Sequence, residues 1–266
     1  MMADDALAVL RAQAAARFPI HEIEVPIEGR AVPLRVTLPA DPDGPFDQLS
    51  AAINAPTSPT EPVEPDAASA ANANIYAGLR MPYWAVIWPS GVAMAEAALA
   101  QPEALAGQRV LELGCGLGLT ACATLEAGAR LTVADCFEDA LHFARLNTLT
   151  NTGIEPAVMQ VDWRTHAGRE ALLAAEPYDV VLGADVLYED DDVAILLDLL
   201  PRLVTPGAGA AWIAEPGRIA SGKFVRLATE AGWDETSVAV SRVWPTETRP
   251  ITVTIHRYRW GVSGLA

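Results

Sequence analysis

Three glycines at alternate positions, Gly114, Gly116 and Gly118, follow the apolar segment 110–113. Because glycine has no Cβ atom, the backbone can turn sharply here and can approach a bound ligand closely. A helix is expected to begin near Leu119, and the first N–H groups of a helix have no partner within it. These residues predict a nucleotide-binding turn, with an ordinary glycine-rich connection between strand and helix as the alternative.

Three further apolar segments, 130–134, 157–161 and 178–184, are followed by acidic and aromatic side chains. These are Asp135 after the first, Asp162 and Trp163 after the second, and Asp185 and Tyr188 after the third. The carboxyl ends of parallel strands meet at one edge of a sheet, where open α/β proteins bind their ligands. We therefore expect these side chains to lie around the same crevice as the glycine turn.

A regular alternation of strands and helices would position these residues. From residue 109 onwards, short apolar runs alternate with segments that repeat apolar residues at helical spacing. Strands are predicted at 109–113, 130–134, 157–161, 178–184 and 208–214, and helices at 119–127, 138–151, 169–175, 191–203 and 219–231. Continuous apolar strands that alternate with helices require a parallel sheet covered on both faces.

The sequence continues this pattern at both ends. Segments 237–243 and 251–259 have no helix between them, so we expect an antiparallel strand pair at one sheet edge. Another helix is predicted to begin near Ser90, directly after Pro89. The predicted fold class is α/β, a doubly wound, mostly parallel seven-stranded sheet with a C-terminal antiparallel strand pair.

The N-terminal part of the chain has a different character. Residues 3–17 favour a helix, and the alternating segments 21–27 and 32–38 favour a β-hairpin. From Ala40 to Asn74, Pro, Ala, Ser, Thr, Asn and Asp predominate, which predicts a linker or mobile flap. The predicted division is an N-terminal helix and hairpin appendage (1–39), the linker or flap (40–74) and the main domain (75–266).

The spacing of the glycines separates two classes of cofactor. Nicotinamide dinucleotides are bound by Gly-x-Gly-x-x-Gly, whereas here the glycines alternate and follow Glu112. The run Glu-Leu-Gly-Cys-Gly-Leu-Gly resembles the first motif of the class I, seven-strand S-adenosylmethionine-dependent methyltransferases. The resemblance covers residues 84–260. It implies a Rossmann-like methyltransferase fold, with S-adenosyl-L-methionine as the cofactor and S-adenosyl-L-homocysteine as the product.

The resemblance also implies roles for residues around the crevice. Asp135 would accept hydrogen bonds from the ribose hydroxyls, with a helix N-cap as the alternative role. Asp162 would accept a hydrogen bond from the adenine amine, and Trp163 would stack on the ring. Glu112 would order the turn and face the methionine ammonium group. The predicted cofactor site comprises Glu112, Gly114, Cys115, Gly116, Gly118, Asp135, Asp162, Trp163 and Trp84.

The segment after the fourth strand predicts the methyl acceptor. Methyltransferases that act on nucleic acids or glutamine amides usually have Asn/Asp-Pro-Pro-Tyr here, whereas this chain has Asp185-Val-Leu-Tyr188. That segment resembles the Asp-x-x-Tyr motif of the seven-strand protein lysine methyltransferases. Segment 82–91, Pro-Tyr-Trp-Ala-Val-Ile-Trp-Pro-Ser-Gly, is most similar to the electron-transfer flavoprotein β-subunit lysine methyltransferases, although segment 40–74 departs from their pattern. The implied partner is a protein with an accessible lysine, and the electron-transfer flavoprotein β subunit is a candidate.

The implied chemistry is an in-line displacement at the methyl group of a sulfonium, which depends on alignment of the reacting groups. A lysine must first lose its proton, since its ordinary pKa is ~10.4. We expect Asp185 to attract and orient the ammonium group, while Trp88 and Tyr188 remove water from it and lower its pKa. Trp84 and Trp88 could also contact cations through their ring faces, with core packing as the alternative.

Composition restricts the partners. The formal net charge of −16 would repel a phosphate backbone, so we expect no nucleic acid partner. No apolar run approaches the roughly 20 residues that span a bilayer, so we expect no membrane partner. Three cysteines without CxxC spacing and four scattered histidines predict no metal site. Free thiols and the absence of an apolar signal core predict a cytoplasmic location.

Two alternatives to a protein lysine N-methyltransferase remain open. A small-molecule N- or O-methyltransferase would use the same scaffold, and only the acceptor segment argues against it. An NAD-dependent or non-catalytic nucleotide-binding protein would also contain a glycine turn, but the spacing here is unfavourable for it.

Overall fold

The computed structural model describes residues 3–54 and 80–260. The α-helices and strands of this part of the chain are, in order, α1 (Ala3–Arg17), β1 (Ile20–Val25), β2 (Leu34–Pro39), α2 (Gly44–Asn54), α3 (Pro89–Ala100), β3 (Arg109–Leu113), α4 (Leu119–Glu126), β4 (Arg130–Asp135), α5 (Glu138–Thr152), β5 (Ala157–Gln160), α6 (His166–Leu173), β6 (Val180–Ala184), α7 (Asp190–Leu203), β7 (Ala210–Glu215), α8 (Ile219–Glu230), β8 (Asp234–Val243) and β9 (Pro250–Arg259). None of the described helices combines the length and apolar character that crossing a membrane would need.

Seven strands form one sheet in the order β5-β4-β3-β6-β7-β9-β8. The strands from β5 to β7 are parallel, whereas β9 is antiparallel to both β7 and β8. The predicted fold class is thus confirmed, including the C-terminal antiparallel pair. From β3 the chain adds β4 and β5 on one side, and it then returns to add β6 and β7 on the other side of β3. This reversal of strand order opens a crevice at the carboxyl ends of β3 and β6.

Two hydrophobic clusters fill the two faces of the sheet. On β3, Val110 belongs to one cluster and Leu111 to the other, because successive side chains of a strand point to opposite faces. The first cluster includes side chains of α3, α4 and α5, and the second includes those of α6, α7 and α8. The sheet is therefore covered on both faces, as its continuous apolar strands predict.

The N-terminal helix and hairpin pack onto α5. Leu10, Phe18 and Val36 are buried in the same cluster as the sheet and α5. The side chain of Asn147 on α5 accepts a hydrogen bond from the Thr37 N–H at 2.8 Å and donates to the Thr37 carbonyl at 2.9 Å. The predicted 1–39 segment thus shares its core with the main domain, and the division at residue 39 remains a prediction from composition.

The segment predicted as a linker or flap begins with a helix. Residues 44–54 form α2, and Asp41 precedes it and accepts a hydrogen bond from the Gly44 N–H at 3.1 Å. Proline is compatible with the first turn of a helix, where its missing N–H would have no partner, and buried Pro45 lies there. The high proline content therefore did not exclude a helix. Residues 55–74 of the predicted linker lie outside the described residues.

Candidate functional site

A cavity of about 460 Å³ opens at the carboxyl ends of the parallel strands. Its wall includes residues from the segment before α3, from the first turns of α3 and α4, from the ends of β3, β4 and β6, and from the loops after β3, β4, β5, β6 and β7. Proteins bind cofactors and small molecules in cavities of this size. The structure places ten predicted site residues on the wall: Trp84, Trp88, Glu112, Gly114, Cys115, Gly116, Asp135, Trp163, Asp185 and Tyr188.

The three glycines of the turn differ in what they contact. All three have positive φ angles, 67° at Gly114, 49° at Gly116 and 80° at Gly118, a region that favours glycine. Gly114 and Gly116 lie on the cavity wall, whereas Gly118 does not. A Cβ atom on Gly118 would lie 2.8 Å from the Cα atom of Ala144. The third glycine therefore permits close packing of the turn against α5.

Two buried carboxyl groups stand behind the turn. Asp135 accepts hydrogen bonds from the N–H groups of Gly116 at 3.2 Å and Phe137 at 3.0 Å, and burial raises its pKa to about 6. Burial, and then the charge of Asp135, raise the pKa of Glu112 well above its ordinary value. The Oε2 atom of Glu112 has no hydrogen-bond partner among the described residues. A buried acceptor without a partner is costly, so Glu112 suits a ligand that donates hydrogen bonds.

The two residues predicted to recognise adenine are placed differently. Trp163 is buried on the cavity wall, and its ring lies 3.4 Å from the position of a Cβ atom on Gly114. Asp162 is not on the wall. Its Oδ2 atom accepts from Nε of Arg80 at 3.0 Å, and its Oδ1 atom accepts from the N–H of Arg164 at 2.9 Å. The structure brings Trp163 to the cavity and leaves the Asp162 carboxylate in contact with protein donors.

The two predicted tryptophans also differ. Trp84 is 6% exposed, and its ring centroid lies 5.8 Å from that of Phe18 and 5.3 Å from that of Phe143. It is both a core residue and part of the cavity wall. Trp88 is partly exposed, and its indole N–H donates to the carbonyl oxygen of Tyr83 at 2.9 Å. This bond fixes the ring at the end of the cavity that Asp185 and Tyr188 also line.

Asp185 is already paired with a cation. Its φ angle of 57° is unusual for a residue other than glycine, a kind of backbone strain that is found mainly at functional sites. Nε of Arg218 donates to Oδ1 at 2.5 Å, and Nη2 donates to Oδ2 at 2.7 Å. Sequence analysis missed Arg218, although it follows β7, whose carboxyl end lies at the same sheet edge.

Tyr188 is held by two neighbours, Arg164 and Tyr83. The guanidinium of Arg164 lies 4.7 Å from its ring centroid, and the Tyr83 ring packs edge-on at 5.7 Å. Arg164 is itself fixed by fully buried Asp192, to which it donates two hydrogen bonds of 2.5 and 2.7 Å. Burial raises the pKa of Tyr188 to about 12. Sequence analysis missed Tyr83, Arg164 and the buried role of Asp192, although the first two adjoin predicted site residues.

Curated proteins that are similar in sequence to this chain are methyltransferases. The electron-transfer flavoprotein β-subunit lysine methyltransferases of Xenopus laevis and Danio rerio are 33% and 31% identical to this chain, over 138 and 137 residues respectively. These matches cover 52% of this chain in both cases, and 53% and 51% of the relatives. A ubiquinone biosynthesis O-methyltransferase of Xylella fastidiosa (strain M23) is 36% identical over 105 residues, 39% of this chain and 40% of the relative. The chain thus spans about half the length, or less, of these curated relatives.

Solved structures show the same fold. Precorrin-6y C5,15-methyltransferase from Geobacter metallireducens superposes with a TM-score of 0.50 at 12% identity, covering 64% of this chain and 88% of that chain. A SAM-dependent methyltransferase from Agrobacterium tumefaciens gives a TM-score of 0.50 at 16% identity, covering 66% and 63%. At these identities the structures are informative about the fold alone. The family model described as "Lysine methyltransferase" matches residues 82–230, more than half of the sequence, and the chain therefore belongs to the lysine methyltransferase family.

Proposed function

We propose that this protein is an S-adenosylmethionine-dependent methyltransferase that N-methylates a lysine side chain of a protein substrate. The observation that carries the proposal is one cavity that joins the glycine turn to the Asp185–Tyr188 segment. Membership of the lysine methyltransferase family supports the reaction class. The names of the Xenopus and Danio relatives support a protein acceptor, and the electron-transfer flavoprotein β subunit is the first candidate.

The wall residues fit S-adenosylmethionine, which supplies an electrophilic methyl group when bound. Buried Glu112 would receive the ammonium group of the methionine moiety, since its Oε2 atom lacks a partner among the described residues. Asp135 would accept hydrogen bonds from the ribose, and Trp163 would pack on the adenine. Cys115 is buried in the turn, where its small side chain fills space.

The other end of the cavity would prepare the acceptor. Aromatic rings of Tyr83, Trp88 and Tyr188 surround this end, and removal of water from an ammonium group lowers its pKa. With a pKa of about 12, Tyr188 remains a phenol at neutral pH. It can hydrogen-bond the amine, but it does not act as an anionic base. We therefore propose that the lysine proton leaves to water and that Asp185 orients the cation before this loss.

Charge and thiol chemistry support the remaining parts of the proposal. The net charge of −16 favours a basic protein surface over a nucleic acid as the partner. Cys115, Cys122 and Cys136 are free thiols, as is typical of proteins in a reducing compartment. We retain the cytoplasm as the proposed location.

Transfer of label tests the proposal directly. The protein is incubated with S-adenosylmethionine carrying a labelled methyl group, first with purified electron-transfer flavoprotein β subunit and then with a cell extract. We expect label on protein and recovery of methylated lysine after hydrolysis. Label only in small molecules would support the small-molecule alternative. Calorimetry that shows binding of NAD and no binding of S-adenosylmethionine would end the proposal altogether.

The variant that tests the role of Asp185 is Asp185→Asn, because asparagine preserves the shape of the side chain and tolerates a positive φ angle. We expect methylation to fall by about 100-fold, a typical loss when an orienting charge is removed. The affinity for S-adenosylmethionine should remain within about twofold of that of the wild type. Full methylation by this variant would exclude the role assigned to Asp185.

A further inference from the structure

Both oxygens of the Asp185 carboxylate already accept hydrogen bonds, so an incoming acceptor must compete for them. The Arg218 guanidinium donates to both of its oxygens, at 2.5 and 2.7 Å. The Asp185 side chain is only 6% exposed, whereas the Arg218 side chain is 36% exposed. The carboxylate is therefore fixed in the protein, and its partner has solvent on one side into which it can move.

The guanidinium makes the same two contacts that the substrate ammonium would make. Besides its bonds to Asp185, it lies 5.7 Å from the ring centroid of Trp88, within the range of a cation–π contact. Both Trp88 and Arg218 line the cavity. A carboxylate and an aromatic face are the groups that recognise a cationic side chain.

The backbone of Arg218 is held independently of its side chain. Oε2 of Glu215 accepts hydrogen bonds from the N–H groups of Gly217 at 2.6 Å and Arg218 at 3.2 Å. Arg218 is also the residue directly before α8. Rotation of the guanidinium away from Asp185 therefore requires side-chain movement alone.

We infer that Arg218 is a resident cation that competes with the substrate lysine for Asp185 and so sets the KM for the acceptor. This inference rests on the proposed function. While Arg218 is bound, the pair carries no net charge, so its attraction for a second cation is weak. The substrate ammonium must displace the guanidinium, which moves towards solvent. A resident cation of this kind disfavours acceptors that cannot replace it.

Steady-state kinetics of Arg218→Gln test this inference against a purely structural role. Removal of the competing charge should lower the KM for the protein acceptor by about fivefold, the size expected for a partly exposed ion pair. We expect kcat and the affinity for S-adenosylmethionine to remain within about twofold of the wild-type values. A residue that only supports Asp185 would give the opposite result, a higher KM or a lower kcat.

Two further variants make the test specific. Arg226→Gln removes an arginine of α8 that pairs with Glu230 at the surface, and it should leave the KM unchanged. Arg218→Lys retains a cation. The KM of this variant should therefore be closer to the wild-type KM than the KM of Arg218→Gln is. An unchanged KM in Arg218→Gln would overturn the inference and leave the proposed function intact. A KM that falls as far in Arg218→Lys as in Arg218→Gln would have the same meaning. Absence of protein methylation by the wild type would instead overturn the proposed function.

Discussion

Burial of the Asp135 carboxylate lowers the stability of the folded protein but suits the binding of a ligand. Its side chain is 6% exposed, and burial raises its pKa from 3.8 to about 6 despite hydrogen bonds from two backbone N–H groups. At neutral pH the protein therefore holds a buried carboxylate that would be more stable in water. A ligand with hydroxyl donors, such as a ribose, would offset this cost.

The stability of Asp135→Asn should reveal this cost. Because Asp135 has the higher pKa in the folded protein, its contribution to wild-type stability falls as the pH rises from 3.8 to about 6 and stays lower above that range. Asparagine has no such titration. From pH 4 to pH 8, the unfolding free energy of the variant should rise relative to that of the wild type by about 2 kcal/mol. Urea denaturation at pH 4, 6 and 8 measures the difference.

The exposed carboxylate of Asp198 provides the control, since its side chain is 62% exposed. Asp198→Asn should show a much smaller change over the same pH range. A constant difference between wild type and Asp135→Asn from pH 4 to pH 8 would contradict the assignment of the raised pKa to this residue.

At the same scale, the residue types after the strands could be predicted, but their pairing could not. The position of Asp185 follows from the apolar run before it. Its partner Arg218 lies 33 residues further along the chain, and nothing in the sequence distinguishes it from the other arginines. Likewise, Asp162 has the type and position of an adenine ligand, but only the structure shows that Arg80 already occupies its Oδ2 atom.

At the scale of elements, apolar periodicity predicted the order of strands and helices from β3 onwards with small differences at the ends. The sequence failed where composition and structure diverge, as in α2, whose proline lies at a tolerated position. The role of Gly118 also required the structure. Its spacing resembles a ligand contact, whereas the atoms beside it belong to α5.

Gly118→Ala should therefore destabilise the contact between the turn and α5. An added Cβ atom would lie 2.8 Å from the Cα atom of Ala144, and φ is 80°. We expect a loss of about 3 kcal/mol in unfolding free energy from the combined clash and backbone strain. Gly153→Ala is the matched control, since φ is 70° and no atom lies within 4 Å of the added Cβ. It should lose about 1 kcal/mol, and equal losses would contradict the packing role.

At the scale of the whole molecule, the N-terminal hairpin is connected to the glycine turn through one side chain. Asn147 bonds both backbone groups of Thr37 and also donates to the Leu117 carbonyl at 2.9 Å. Thr37 and Asn147 are both buried. These partners are 110 and 30 residues from Asn147 in sequence, so composition could only separate the hairpin from the main domain. The structure shows how they are joined.

Asn147→Ala should weaken the fold and the cofactor site together. It removes three buried hydrogen bonds and leaves backbone groups of Thr37 and Leu117 without these partners, so we expect a loss of about 3 kcal/mol in unfolding free energy. Asn151→Ala is the control, since its amide also bonds both backbone groups of a β2 residue, Arg35. Its other hydrogen bond among the described residues goes to the Asn147 carbonyl and not to the turn.

Calorimetry with S-adenosylmethionine distinguishes the two variants. If Asn147 transmits the position of the hairpin to the turn, Asn147→Ala should bind the cofactor about tenfold more weakly, whereas Asn151→Ala should bind it as the wild type does. Because the Leu117 carbonyl lies between Gly116 and Gly118, its release would loosen the turn itself. Equal affinities in both variants would mean that the hairpin stabilises the fold without positioning the site.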